Sequence, residues 1–321
     1  MKILLTGGAG FIGSNLTASL LNDPHVSELI VLDNLATGFE SNLEEFKSNA
    51  KFKFVFGDIR DNILCENLTK GMDAICHQAA LGSVPRSIAD PMNSHDVNVN
   101  GFLNILNAAK LNGVKRIVYA SSSSVYGDLN ESPKVESCVG KILSPYAATK
   151  MTNELYAEAF AKAYGMTIIG LRYFNVFGPK QDPNGAYAAV VPLFIKAGLT
   201  NVAPIINGDG TITRDFTPVE NVVQINTKAL LSENLEKARH YVFNVACGQT
   251  TDLNTLWDLV KTATNSSVNP LYGPNRPGDI FFSLADISSA MEQLKYNPNT
   301  DLKLCIERAV KDYAARYEFE L

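Results

Sequence analysis

The sequence predicts an α/β protein: a doubly wound parallel sheet with a second, smaller α/β lobe. Three observations predict it. Short apolar runs recur along the first half with helix-like stretches between them, the first run ends in a glycine-rich turn, and the alternation stops after Gly178-Pro179. Parallel strands covered by helices on both faces read as near-continuous apolar runs, because neither face meets water.

The first run, Ile3–Thr6, leads into GGAGFIG, where Gly7, Gly10 and Gly13 fall at the turn and at the opening of a helix over Phe11–Leu21. Glycine there lets the backbone turn tightly and approach a pyrophosphate, while the helix N-terminus offers unpaired N–H groups and a positive dipole end. Further strands are expected at Leu29–Asp33, Lys53–Gly57, Ala74–Gln78, Arg116–Ser121 and Thr167–Arg172, with helices at Val99–Asn112 and Tyr146–Tyr164. Beyond residue 178, Pro- and Gly-bearing segments (Lys180–Tyr187, Ile205–Thr213, Asn269–Asp279) alternate with helical patterns at Ala188–Leu199 and Leu253–Thr264. Tyr241–Val245 is again strand-like and is expected to rejoin the sheet. The resulting division is a nucleotide-binding domain over 1–175 and a substrate-holding lobe over 176–321, interleaved because about 214–247 returns to the first.

Composition removes several classes of function. The 321 residues carry a net charge of -5 and no basic run, which argues against nucleic acid as a partner. No uncharged apolar stretch reaches membrane-spanning length, and the first strand begins too early to leave room for a signal peptide. The five cysteines are scattered, odd in number and free of C-x-x-C pairing, as expected of reduced thiols in a cytoplasmic protein. The four histidines are equally dispersed, so no metal site is expected, and His77 inside an apolar run reads as a packed residue.

In a doubly wound sheet, ligands bind beyond the carboxyl ends of the strands. Those ends carry Gly7, Asp33, Asp58, Gln78-Ala79-Ala80, Ser121–Ser124 and Tyr173-Phe174-Asn175. Asp33, twenty residues after Gly13, is placed to accept hydrogen bonds from an adenosine ribose and to repel a 2′-phosphate. No Lys or Arg follows within DNLATGFESN to neutralise such a phosphate, so NAD is favoured over NADP. Asp58 either receives the adenine amino group or caps the segment that starts at Asp61. Tyr146 and Lys150 are four apart on one helix and therefore share a face. An ammonium beside a phenol favours the phenolate, which makes a general base.

Together these segments resemble the extended short-chain dehydrogenase/reductases of Rossmann fold, and within them the UDP-hexose 4-epimerases, closest to the bacterial UDP-N-acetylglucosamine 4-epimerases. The resemblance runs the length of the chain through GGAGFIG, DNLATG, GDIRD, HQAALGSVPRSIADP, NVNGFLNIL, YASSSSVYGD, SPYAATK, LRYFNVFGPKQDPNGAYAAVVP, TRDFTPVENV and NRPGD. It implies an NAD-dependent isomerase in which Tyr146 is the base, Lys150 lowers its pKa, and Ser122 positions the sugar oxygen and shares the proton. Cofactor contacts are implied for Gly7, Gly10, Phe11, Ile12, Gly13, Asp33, Asn34, Asp58, Ile59, Gln78, Ala79, Ala80, Asn98, Ser121, Tyr146, Lys150 and Tyr173, with that of Asn98 largely architectural. For the UDP-sugar the resemblance implies Ser83, Ser122, Ser123, Asn175, Arg214, Arg276, Asp279 and Ser283, with Ser87 and Arg86 as further candidates. The two arginines would clamp the phosphates, since a guanidinium fork matches phosphate bidentately. Ser283 stands at the gate beside the sugar C2 substituent, and a small residue there admits an acetamido group. A homodimer through Val99–Asn112 and Tyr146–Tyr164 is also implied.

Other chemistries remain to be weighed. A 4,6-dehydratase needs an acidic pair where this chain has Ser123-Ser124, and a UDP-glucuronate decarboxylase needs a glutamate that is also absent from this loop. A UDP-glucuronate 4-epimerase stays open, with Arg86 as its carboxylate partner. In a different class, a non-catalytic NAD-binding sensor would be expected to lack Tyr146 or Lys150. Two departures from the family pattern, Pro218 and Phe102, are expected to alter a loop and local packing only.

Overall fold

The structure is a computed structural model, and it describes residues 1–185, 188–274 and 282–318. Its centre is a seven-stranded sheet whose strands are β1 (Lys2–Thr6), β2 (Glu28–Asp33), β3 (Phe52–Phe56), β4 (Ala74–His77), β5 (Arg116–Ser122), β6 (Thr167–Tyr173) and, last, His240–Val245. All neighbours are parallel, in the order β3-β2-β1-β4-β5-β6 followed by His240–Val245. The order reverses between β1 and β4, and a crevice opens at such a switch point.

Side chains alternate across the sheet, and both faces are buried. Ile3 and Leu5 point into one core with Leu16 and Leu20 of the helix Phe11–Asn22 and with Val222 and Ile225 of the helix Val219–Leu231. Leu4 points into the other, with Phe102 and Ile105 of the helix Gly101–Asn112 and Ala157 and Ala161 of the helix Pro145–Tyr164. This two-sided burial explains why the strands read as unbroken apolar runs. Phe102 is fully buried against Tyr119 and His77, with ring centroids 4.9 and 5.4 Å away, so its effect is on packing, as expected.

The helix Val219–Leu231 carries the chain back beneath the sheet, and His240–Val245 then pairs with β6, with His240 opposite Ile168. A separate core, holding Phe177, Phe194, Trp257, Ile306 and Val310, gathers the helices Val190–Leu199, Leu253–Ala263 and Leu302–Arg316. Among the described residues, three two-stranded ladders lie outside the large sheet, the first joining Val176–Phe177 to Thr217–Pro218. Pro218 closes that ladder and stands at the N-cap of the following helix, where its missing N–H costs nothing. Among the described residues, no helix is long and apolar enough to cross a membrane.

Candidate active site

A cleft of about 540 Å³ runs along the carboxyl ends of the strands. Its first wall is the turn after β1. Gly7 has φ +73°, and a Cβ there would lie 2.6 Å from the Ala79 nitrogen. At Gly13 a Cβ would fall 2.0 Å from the Gly7 carbonyl oxygen, so the turn closes on the helix only because neither residue has a side chain. Gly10 differs: a Cβ there would meet nothing closer than 3.3 Å, so glycine keeps open the space over the helix N-terminus. That helix has no side-chain cap, and its first N–H groups, at Phe11, Ile12 and Gly13, line the cleft. Uncapped donors facing an open cradle fit the pyrophosphate of a dinucleotide.

Asp33 and Asn34 end β2 and border the same cleft. Both Asp33 oxygens already accept backbone N–H groups, from Ala9 at 2.9 Å and Leu35 at 2.8 Å. Burial raises its pKa from the ordinary carboxylate value, with those two donors pulling the other way. The carboxylate therefore braces the glycine turn in addition to any role toward a ribose. Asp58 does not cap the next helix; Asp61 does, by accepting from the Leu64 N–H. The Asp58 carboxylate instead takes the Arg60 fork at 3.0 and 2.8 Å and the Asn34 amide at 2.8 Å, and these hydrogen bonds hold its pKa down to about 2. With Ile59 it lines the cleft beyond Asn34.

The opposite wall carries the reactive side chains. Ser144 caps the helix Pro145–Tyr164 by accepting from the Ala147 N–H at 3.1 Å, and Pro145 fills its first turn. Tyr146 thus emerges at the helix mouth, where its own N–H donates to Ser87 Oγ at 2.9 Å. Lys150 lies a turn further on, 2 % exposed, donating to the Ala120 carbonyl at 2.9 Å, with Nζ 5.9 Å from the Tyr146 ring centroid. Ser122 closes β5, its hydroxyl accepting the Ser124 N–H at 3.1 Å and opposing the rise of the Tyr146 phenol pKa. Tyr146, Lys150 and Ser122 line the cleft together with Ser121, Gln78, Ala79, Ala80, Ser83, Tyr173 and Asn175.

Burial acts on both groups. It raises the Tyr146 pKa, with Ser122 pulling the other way. It strips the Lys150 ammonium of water and pushes it down to about 8.

Four expected contact residues stand off the cleft among the described residues. Asn98 is buried in a π-helical turn, Asp96–Asn100, where its amide bonds both backbone groups of Leu81 and the Thr149 hydroxyl. It pins the cleft-lining loop to the Tyr146 helix without facing the cleft. Ser123 opens the short turn Ser123–Tyr126 beyond the strand end. Arg214 lies in the ladder Thr213–Arg214 and donates to the Thr213 carbonyl at 2.9 Å. Ser283 is half-buried beside the Thr213 to Phe282 bridge. Arg276 and Asp279 fall outside the described residues.

Sequence reasoning missed the polar groups behind the wall. Asn226, on a returning helix, donates to the Tyr173 hydroxyl at 2.8 Å, and Gln78 bonds both, so three distant segments lock one another. Glu154 accepts from the Ser121 hydroxyl at 2.6 Å and pairs with Arg172. Its position four after Lys150 was the available signal. Thr37, Asn93 and Gln181 also border the cleft, and no spacing argument singles them out.

A doubly wound sheet, an open phosphate cradle at its switch point and a Ser-Tyr-Lys wall define a dinucleotide-dependent enzyme. The chain belongs to the NAD dependent epimerase/dehydratase family, whose model matches residues 3–246. It is an NAD-dependent isomerase. A curated relative, the putative UDP-glucose 4-epimerase of Methanocaldococcus jannaschii, is 38% identical over 310 residues, covering 96% of this chain and 97% of its own length. Among solved structures, the UDP-N-acetylglucosamine 4-epimerase of Methanobrevibacter ruminantium, in complex with UDP-N-acetylmuramic acid, superposes with a TM-score of 0.92 at 36% identity, over 98% of both chains. The UDP-glucose 4-epimerase of Thermotoga maritima with UDP-glucose gives 0.91 at 33% identity, over 99% of this chain and 100% of that one.

Proposed function

We propose that this chain is a UDP-sugar 4-epimerase that interconverts UDP-N-acetylglucosamine and UDP-N-acetylgalactosamine and also accepts UDP-glucose and UDP-galactose. The observation that carries the proposal is the convergence of Ser122, Tyr146 and Lys150 on the cleft wall facing the glycine cradle. Bound NAD supplies reversible hydride acceptance. Tyr146 takes the proton of the sugar 4-hydroxyl and returns it after the 4-keto sugar has turned over. Ser122 holds that oxygen and shares the proton, and Lys150 steadies the charge on the phenol. The N–H groups at Phe11 to Gly13 hold the pyrophosphate, and Asp33, Asn34, Asp58 and Ile59 hold the adenosine half.

On the sugar side, Asn175, Arg214, Arg276 and Asp279 are assigned to the uridine diphosphate, and Ser83 to the hexose. Ser283 is assigned to the gate beside C2, where its small side chain supports acceptance of an acetamido group. The serine loop speaks against elimination chemistry: Ser123 stands off the cleft and the Ser124 hydroxyl is buried without a partner. The cofactor then belongs to residues 1–175 and the sugar nucleotide to 176–321, with the returning segment shared. Cys65, Cys76, Cys247 and Cys305 are buried free thiols, which supports a cytoplasmic enzyme. The outward Leu111 of the helix Gly101–Asn112 and Leu155 of Pro145–Tyr164 support a homodimer through those helices.

The test is incubation with UDP-N-acetylglucosamine and UDP-glucose separately, following C4 inversion by NMR. Tyr146→Phe should abolish inversion and leave NAD affinity intact. An NAD-loaded protein that inverts neither sugar overturns the proposal.

A further inference from the structure

A buried carboxylate ties the strip that carries Ser283 to the segment after the strand His240–Val245. Asp215 is fully buried, and its Oδ1 accepts the Cys247 N–H at 2.8 Å while Oδ2 accepts those of Gly248 at 3.0 Å and Ala285 at 3.4 Å. Three segments far apart in sequence thus meet on one side chain. Its own carbonyl accepts the Asn175 amide at 3.1 Å, which fixes a residue held at φ +33°. The strip is anchored on both sides of the serine. Upstream, Phe282 bridges to Thr213, two residues before Asp215; downstream, the Leu284 carbonyl accepts the Lys134 N–H at 2.8 Å and the Asp286 N–H donates to the Lys134 carbonyl at 2.9 Å.

A lone buried carboxylate is costly compared with an apolar side chain of similar size, and backbone N–H groups are its means of compensation. Nothing in the catalytic step uses this one. What it does do is fix the distance between the strip Phe282–Ala285 and the end of the strand His240–Val245. We propose that Asp215 is a specificity-positioning residue: it sets where Ser283 stands relative to the cleft, and so the discrimination between acetylated and non-acetylated hexoses, without touching the sugar. The inference rests on the assignment of Ser283 to the sugar C2 gate. Released from Asp215, the strip keeps its Thr213 and Lys134 anchors but loses its tie to Cys247-Gly248, so Ser283 shifts, and an acetamido group then loses contacts that a bare hydroxyl never made.

The experiment compares kcat/KM for UDP-N-acetylglucosamine and UDP-glucose in the wild type, Asp215→Asn, Ala285→Pro and Ser283→Tyr. Asp215→Asn replaces one accepting oxygen by a donor, and Ala285→Pro deletes a single N–H from the cluster. Both should lower the acetylated-to-plain ratio by at least about fivefold, the scale of one buried hydrogen bond left unmade, with the change in KM and with NAD affinity retained. A general loss of stability would lower both substrates alike. If Ser283→Tyr changes the ratio and the other two variants leave it within twofold, the Asp215 inference is wrong and the gate stands. If Ser283→Tyr leaves the ratio unchanged, the gate assignment fails, and this inference with it. Should Asp215→Asn not fold, Ala285→Pro decides alone.

Discussion

Glu154→Gln tests whether the floor of the site is electrostatically built. Glu154 lies one turn beyond Lys150 on the same helical face. Its carboxylate accepts Arg172 Nε at 2.9 Å and Nη2 at 2.7 Å, and the Ser121 hydroxyl at 2.6 Å. The two side chains are only 4% and 7% exposed. The amide keeps the shape, turns one accepting oxygen into a donor facing a guanidinium, and leaves the arginine charged. Removing one partner of a buried pair costs about 3–5 kcal/mol, a large share of a typical stability of about 5–15 kcal/mol. At about 1.5 °C per kcal/mol for a chain of 321 residues, Tm should fall by about 4–8 °C. Thermal unfolding followed by circular dichroism reads it directly. A double replacement by methionine, Glu154→Met with Arg172→Met, should recover part of the loss because no lone charge remains buried. A Tm for Glu154→Gln within about 2 °C of wild type would refute the reasoning.

Gly13→Ala places a Cβ 2.0 Å from the Gly7 carbonyl oxygen, so the turn must open; calorimetric titration should show NAD binding at least about tenfold weaker, and unchanged affinity would contradict the cradle. Lys150→Met removes the cation beside Tyr146 and should lower kcat by about 100-fold or more with little change in KM, measured by NMR on UDP-N-acetylglucosamine; a smaller loss would show that the charge is dispensable. His77 is buried, hydrogen-bonded to Thr6 Oγ1 at 2.8 Å, and pushed down to about 3, first by burial and then by the Lys150 charge. Because its unfolded pKa is near 6.5, the unfolded chain binds the extra proton between pH 6.5 and 3, and stability falls as pH drops through that window. Asp215, raised to about 6 by burial, acts in the opposite sense below that pH, so the reading is the difference between wild type and His77→Gln. Urea unfolding at pH 7.5 and 5 should show the variant losing about 2 kcal/mol less than wild type, and identical losses would exclude His77 as the cause.

The sheet was legible in the sequence because each strand is buried on both faces, which imposes the unbroken apolar runs from Ile3 to Ile169. The returning strand was legible for the same reason. The edges were less so: β4 ends at His77, one residue short of expectation, because Gln78 turns to bond Tyr173 and Asn226 across the cleft mouth. Glycine positions and the Tyr146 to Lys150 spacing carry their geometry in the chain order itself. The roles of Asp58 and Asp33 do not, because both carboxylates have local partners, Arg60 and the Ala9 N–H, that only the folded turn brings within reach. Asn98 was legible as architectural. That it faces away from the cleft depends on a π-helical turn, which no residue pattern announces.

The balance between Tyr146 and Lys150 shows why a desolvated pair on a cleft wall suits the proposed chemistry. In water the phenol near 10 and the ammonium near 10.4 differ little, and neither is a useful base or acid at neutral pH. Burial separates them, lifting the phenol and dropping the ammonium to about 8. At neutral pH the phenol therefore keeps its proton, while the ammonium, at about 8, keeps most of its charge. In the proposed reaction the Lys150 charge and the positive ring of an oxidised cofactor would favour the phenolate, since low-dielectric surroundings strengthen attraction between opposite charges. Ser122, which opposes the rise of the phenol pKa, would share the proton in that reaction. Asn98 and Ser87 hold the first turns of the Tyr146 helix, and Glu154 ties that helix to Ser121 at the end of β5, none of them needing to touch a substrate.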